Sequence, residues 1–316
     1  MTTFKNRVFG CVIVKSINSN YNADFSGQPR TLPNGVVYAT DKALKYALKN
    51  YIRDIHNGKV LYFKTMKNDF VPMSLDEAYT NAFPNVSSGK ASVAKNLLSC
   101  LDIKLFGATF AKKGKTKEDN VALSIHGPVQ INHGQNIWKE NNIFSEQIMS
   151  PFRNPDEKSD DKEATTLGRQ SKLQEGHYLH HFSINPKNLS EVVKLTGDEN
   201  LQLQDGDITI LKDALRSGVT YYDSAAKAGT DNEFLLWVKL NENSKTVLPN
   251  FSGLVTMNKD DNGKVVIDLT EFCKVFEKNK GEIGAVEIFY LVESTTLKGV
   301  PTEKTSKFDL TSGQKI

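Results

Sequence analysis

Residues 7–17 read RVFGCVIVKSI, an apolar run in which Val8, Val12, Ile13 and Val14 are β-branched. Such side chains are stiff at χ1 and suit a pleated chain, so the run reads as a buried first strand. It passes into 18–24, NSNYNAD, and then Gly27-Gln28-Pro29-Arg30. Asn and Asp bond to nearby backbone and tolerate positive φ, which makes this segment a loop. A helix is expected over 40–56, capped by Thr40 or Asp41 and ended by Asn57-Gly58. Leu44, Ala47, Leu48, Tyr51 and Ile52 form its apolar stripe. Lys42, Lys45, Lys49 and Arg53 recur at spacings of three and four, so they share or border one face. Taken alone, that is the solvated side of an amphipathic helix.

Further along, the spacing predicts a helix over 92–101 and a strand over 103–111 (IKLFGATFA). A basic turn at 112–117 leads to a returning strand over 121–131, with Gly127-Pro128 as a bulge or edge feature, and the two strands form a hairpin. From 135 to 172 apolar residues thin out, and 156–163 reads DEKSDDKE. This composition fits an arm that leaves the core, carries an exposed tip and returns over 176–184 (GHYLHHFSI). A helix over 205–222 and strands over 234–240, 265–268 and 285–292 follow, and the polar tail after 296 is expected to be loosely held. The order strand, helix, strand pair, insertion, strand, helix, strand specifies an α+β fold with helices on one face of the sheet. The ferredoxin-like core of the RNA-recognition module is its natural architecture.

The length, 316 residues, is ample for a real core, and 39% hydrophobic content is that of an ordinary globular chain. No run approaches the ~18 apolar residues of a membrane span. Residues 1–10 hold Lys5 and Arg7 but no apolar stretch of leader length. The three cysteines, Cys11, Cys100 and Cys273, lie far apart and form neither a disulfide framework nor a metal-ligand spacing. A cytoplasmic, reduced protein without cofactor is the expectation. With 40 basic and 37 acidic residues the formal charge is only +3, so any nucleic-acid contact must concentrate its positive charge in one groove.

Motifs for hydrolase, nucleotide-binding and zinc-peptidase chemistry are absent. His177, His180 and His181 fall within five residues, but on a strand His177 and His181 face one side and His180 the other, and no third ligand is evident. They read as polar strand residues. Asp54, Asp102 and Asp223 stand alone near element ends, where they cap or pair. What accumulates instead is nucleic-acid chemistry. A basic helix face follows a loop whose Asn18, Asn20 and Asn22 amides can reach phosphates or base edges. The arm places Met149, Phe152 and Leu167 beside Arg153 and Arg169. An apolar wedge flanked by arginine can part stacked bases while holding the backbone.

In order, these segments resemble the backbone subunit of Cascade, the type I CRISPR surveillance complex, and its I-B/I-C branch in particular. The loop 18–24 with Pro29-Arg30 is similar to the family's Asn-Pro-Asn-Gly-Asp-Pro loop and Pro-Arg. Thr40-Asp41 with Lys42, Lys45, Lys49 and 51–54 (YIRD) is similar to its first helix. The stretch 102–111 (DIKLFGATFA) is nearly its signature strand, and 124–131 (SIHGPVQI) is that strand's partner. Leu167-Gly168-Arg169 and 182–186 (FSINP) match the return from the arm. Three family features are missing: Tyr21 stands for the loop glycine, Ser19 for a loop proline, and 224–229 reads SAAKAG without the arginine of the family's Ser-Arg-Ser-Lys-x-Gly.

The resemblance implies a single hand-shaped domain. A modified RNA-recognition palm would take in 1–60, 100–134 and 173–295, with helical fingers over 61–99 and a β-hairpin thumb over 135–172. It implies guide-RNA contacts at Asn18, Asn20, Asn22, Arg30, Lys42, Lys45, Lys49, Arg53, Gln130, His133 and Lys227. The thumb would act through Met149, Phe152, Arg153, Leu167 and Arg169. Implied partners are CRISPR guide RNA, target DNA in the guide hybrid and further copies of the chain. To these it adds the other Cascade subunits: the cap of the guide's 5′ end, the large and small subunits and the repeat endonuclease. The implied role is non-catalytic. The rival reading is metal-dependent RNA cleavage using the loop aspartate Asp24, and a third is an assembly protein without RNA.

Overall fold

The computed structural model describes residues 2–84, 89–112, 120–138, 142–153 and 164–316. The chain opens with β1 (Val8–Ser19), β2 (Tyr38–Ala39) and α1 (Asp41–Ile55), then α2 (Leu75–Ala82), α3 (Lys90–Leu98) and α4 (Leu101–Phe106). Next come β3 (Gly107–Lys112), β4 (Val121–His126), β5 (Val129–Ile131), β6 (Gly134–Asn136), β7 (Ile143–Arg153) and β8 (Ala164–Ile184). The second half holds α5 (Ser190–Thr196), α6 (Asp205–Tyr221), β9 (Thr230–Leu240), β10 (Thr256–Lys259), β11 (Val265–Asp268) and α7 (Thr270–Asn279). It ends with β12 (Ile283–Tyr290), β13 (Thr295–Lys298) and β14 (Thr305–Asp309).

The main sheet runs β14-β12-β9-β1-β8-β6-β2, with β5 and β7 also paired to β8. β1 is antiparallel to both neighbours, Val8 lying opposite Ile184 and Lys239. Its unbroken apolar run now has a physical reason. Val8, Val12 and Val14 enter one core, and Phe9, Cys11 and Ile13 enter a second core on the other face. A strand covered on both sides has no polar face to offer water. Gly10 lies between them because a Cβ there would sit 2.1 Å from the Leu236 carbonyl oxygen.

α1 forms as its sequence dictates. Thr40 caps it through its hydroxyl, Asp41 favours the positive end of the helix dipole and Arg53 the negative end. Leu44, Ala47, Leu48, Tyr51 and Ile52 are its buried stripe, as expected. α1 packs beside α6 over the first core, and the Tyr51 hydroxyl donates to Asp213 Oδ2 at 3.0 Å.

Four sequence expectations need correction. Residues 103–106 are helical, in α4, and only 107–112 are strand. The side chains of Leu101, Ile103 and Leu105 all enter the first core, and Gly107 stops the helix at φ 75. A Cβ at Gly107 would lie 2.2 Å from the Ile125 carbonyl oxygen, so the chain needs glycine there to turn into β3. The return over 121–131 is two strands split at Gly127-Pro128: β4 pairs with β3 in a separate sheet, while β5 joins β8. Helices do not cover one face alone, because α7 and the small sheet β10-β11-β13 close the second core through Phe272, Phe276 and Ile267. Finally, the tail is anchored. β14 pairs in parallel with β12, Leu310 is buried, and Arg216 donates to the carbonyls of Leu310 (2.6 Å) and Thr311 (2.5 Å). Charged residues in that tail hid a strand whose partner lies next to it in the fold but outside any local pattern.

The arm is a long antiparallel hairpin of β7 and β8, running from the pair Ile143–Leu173 to the pair Arg153–Ala164. The basic turn at 112–117, apart from Lys112, and the acidic tip at 156–163 lie outside the described residues.

Candidate nucleic-acid interface

The loop after β1 is built by its own polar side chains. Asp24 Oδ1 accepts from Ser26 N (2.8 Å), Ser26 Oγ (2.8 Å) and Gln28 N (2.9 Å). These hydrogen bonds, the Ser26 hydroxyl first, hold the Asp24 carboxyl below its usual range. Asn20 is buried, and its amide donates to the carbonyls of Gly27 (3.1 Å) and Ser171 (3.0 Å). Asn22 Oδ1 accepts from Thr40 N (2.9 Å) and Thr40 Oγ1 (3.0 Å), tying the loop to the start of α1. Asn20 and Asn22 therefore shape the loop, while Asn18 is exposed at φ 47 at the end of β1. Arg30 Nε donates to the Ala23 carbonyl at 3.1 Å, and its guanidinium carbon lies 5.9 Å from the Phe25 ring centre.

Lys227 reaches under this loop. Its ammonium donates to the Tyr21 carbonyl and lies 5.5 Å from the Tyr21 ring centre. Burial lowers it from the ordinary lysine range to about 8. Tyr21 in turn faces Tyr178 edge-on at 5.1 Å, and its hydroxyl lies 3.3 Å from His180 Nε2. The aromatic that replaces the family's loop glycine is thus a buried post for the loop.

The basic face of α1 divides. Lys42 is largely exposed, with Asp41 at 3.7 Å. Lys45 binds Asp41 at 3.0 Å. Lys49 is turned inward between Asp102 Oδ2 (3.6 Å) and the Tyr62 carbonyl (3.2 Å). Burial pushes its ammonium down, and Asp102 only partly offsets this. Arg53, some 18 Å along the axis from Asp41, holds Asp54 (2.7 Å) and covers the Phe63 ring at 4.2 Å. His133 meets the N-terminus of α1, its Nδ1 accepting from Asp41 N at 3.3 Å. Gln130 Nε2 donates to the Gly127 carbonyl at 2.8 Å and supports the break between β4 and β5.

The structure therefore gathers the Asn loop, Arg30, Lys42, Lys45, His133 and Lys227 around the start of α1. The root of the arm joins them, since Gln28 Nε2 donates to Ser171 Oγ at 2.6 Å on β8. Lys49, Arg53 and Gln130 sit apart from that cluster. On the arm Met149, Phe152 and Arg169 are exposed; the side chains of Arg153 and Leu167 lie outside the described residues. The histidines are structural. His177 lies buried between Glu233 Oε2 (2.6 Å) and Glu175 Oε1 (3.2 Å). Burial first of all lowers His180 to about 4, and its Nδ1 lies 3.0 Å from the Asn132 carbonyl. His181 stacks on Phe251.

This arrangement meets its family match. Residues 6–286 fit the model of the CRISPR-associated protein Cas7. The chain belongs to the Cas7 family. The match begins just before β1 and ends within β12, so the loop, α1, the arm and Lys227 all lie inside the Cas7 region. Solved chains share the Cas7 fold at low identity. A chain of a "CRISPR RNA-guided surveillance complex, pre-nicking" superposes with a TM-score of 0.56 at 12% identity, covering 96% of both chains. A chain of another "CRISPR RNA-guided surveillance complex" gives a TM-score of 0.50 at 12% identity over 90% of this chain and 91% of its own. No curated protein sequence matches the chain. Among the described residues no helix is long and apolar enough to cross a membrane.

Sequence reasoning missed Phe25, a fully exposed aromatic on the Asp24 turn. The only local signal was its place between a turn-forming Asp24 and Ser26-Gly27.

Proposed function

We propose that this Cas7 chain is the non-catalytic guide-RNA-binding backbone subunit of a cytoplasmic type I CRISPR surveillance complex, of the I-B/I-C branch its motifs resemble. Copies pack head to tail along the RNA and present it for pairing with target DNA, beside the other subunits of the complex. The observation that carries this reading is the gathering of Arg30, Lys42, Lys45, His133 and Lys227 at the root of an arm with exposed Met149, Phe152 and Arg169. Cations there hold phosphates without reading sequence, and an apolar arm can part stacked bases. The palm assignment draws on the order β9-β1-β8-β6 with α1 and α6, which follows the strand-helix-strand-strand-helix-strand plan of ferredoxin-like folds. The thumb is the β7–β8 hairpin, and α2 and α3 belong to the fingers.

The non-catalytic assignment draws on Asp24, whose Oδ1 caps a turn with three hydrogen bonds. RNA binding is expected to be sequence-tolerant, and the logarithm of its affinity to fall with the logarithm of salt by about 0.7 per phosphate neutralised. Titrating guide-length RNA at several salt concentrations tests this. Arg30→Ala and Lys42→Ala should each reduce the slope by about 0.7. A salt-independent affinity would contradict the reading, and so would metal-dependent RNA cleavage lost in Asp24→Ala.

A further inference from the structure

We infer that Phe25, backed by Arg30, is a stacking platform for one unpaired nucleobase of the bound RNA. This rests on the RNA-binding reading above and adds a base contact at the root of the arm that no phosphate-neutralising residue supplies.

Phe25 is fully exposed, and its position is enforced. It sits in the turn 24–27, closed by Gly27 N donating to the Asp24 carbonyl at 3.2 Å and by Asp24 N donating to the Gln28 carbonyl at 2.8 Å. The Asp24 carboxylate braces the same turn from inside, and Ala23 and Pro29 bridge its two sides. Gly27 at φ 81 completes the reversal. Below, Asn20 and Gln28 fasten the loop to Ser171 of β8. A flexible loop could fold a phenylalanine back onto the protein; this one holds the ring in water.

Water is an unfavourable place for an aromatic ring, and a rigid, solvated ring is suited to a flat apolar partner. The guanidinium of Arg30, 5.9 Å from the ring centre, adds a cation beside the π-face. Aromatic face plus arginine is the pair of groups that takes an unstacked base while its phosphate stays near positive charge. The surroundings favour RNA over a protein surface as the occupant. The loop lies over the Lys227 ammonium and against the hairpin that bears Met149 and Phe152. Sequence tolerance is preserved, because every base has a π-face.

The experiment compares wild type, Phe25→Ala and Phe25→Trp for binding to guide-length RNA and to an abasic ribose-phosphate chain of equal length. Melting curves check that the surface substitutions leave the fold intact. Phe25→Ala is expected to weaken binding to ordinary RNA by roughly tenfold, Phe25→Trp to restore it, and the abasic chain to distinguish none of the three proteins. Ordinary-RNA affinity within twofold of wild type for Phe25→Ala would overturn the inference. So would an equal loss on the abasic chain, or a change in self-association of the RNA-free protein caused by Phe25→Ala, which would make Phe25 a protein contact. In each of those cases wild type still binds RNA and the proposed function stands; if wild type binds neither chain, the proposed function itself fails.

Discussion

Replacing Asp102 by alanine is expected to destabilise the protein by about 3–5 kcal/mol. Asp102 is buried at the start of α4, where Oδ1 accepts from Leu61 N at 3.1 Å and Oδ2 from Tyr62 N at 2.8 Å. Oδ2 also lies 3.6 Å from the Lys49 ammonium. Removing the carboxylate orphans two backbone N–H groups and leaves Lys49 charged in a site already unfavourable to its charge. Exposed pairs such as Lys274–Glu271, 2.6 Å apart, contribute at most about 1 kcal/mol, so among the described residues no surface ion pair rivals this one. Lys49→Met in the Asp102→Ala background should recover part of the loss, because it deletes the unpaired cation while Leu61 and Tyr62 stay unsatisfied. Urea unfolding of the two single variants and the double variant measures both effects. A loss below about 1 kcal/mol for Asp102→Ala would show that the pair is not a structural tie.

The second large effect concerns pH. The folded Lys227 value of about 8 lies below the ordinary 10.5, so the unfolded chain binds more protons between those values. Stability therefore rises with pH through that window, as the buried ammonium is relieved of its charge. RNA binding has the opposite sign. A phosphate beside Lys227 favours the charged form, so above pH 8 forming the complex takes up a proton. Raising the pH from 7 to 9 is expected to weaken RNA binding by about tenfold through this one group. Lys227→Arg keeps its charge throughout and should flatten the profile. Lys227→Met should be flat too, with an affinity at pH 7 below that of wild type at pH 9, because wild type still gains there by taking up a proton. Titrations at constant ionic strength check this, and an unchanged pH profile in Lys227→Arg would remove Lys227 from the interface.

These two residues show where a sequence informs and where it stops. The periodicity of α1 was legible because its stripe, its Thr40 cap and its Asn57-Gly58 ending are local. The destination of its lysines was not. Lys42 and Lys49 share a chemistry and a helix, but Lys49 faces Asp102, whose position depends on α4 packing into the first core. The apolar residues of 103–106 suit strand or helix alike; tertiary burial of Ile103 and Leu105, and the stop at Gly107, decide for helix. The loop's amides stand out in the sequence, but Asn20 and Asn22 direct their hydrogen bonds inward to Ser171 and Thr40, contacts separated by 151 and 18 residues. The arm was legible from its thinning apolar content, since Met149 and Phe152 stand out among polar neighbours.

Guide-RNA binding by several copies of the chain is tested most directly by the nucleic acid that the protein carries when purified alone and with co-expressed guide RNA. The bound material is extracted, digested separately with RNase and DNase, and sized, and the mass of the particle is measured. A discrete, RNase-sensitive RNA of guide length with several copies of the chain on it is the expected result. A monomer free of RNA under both conditions, at low salt, would contradict it.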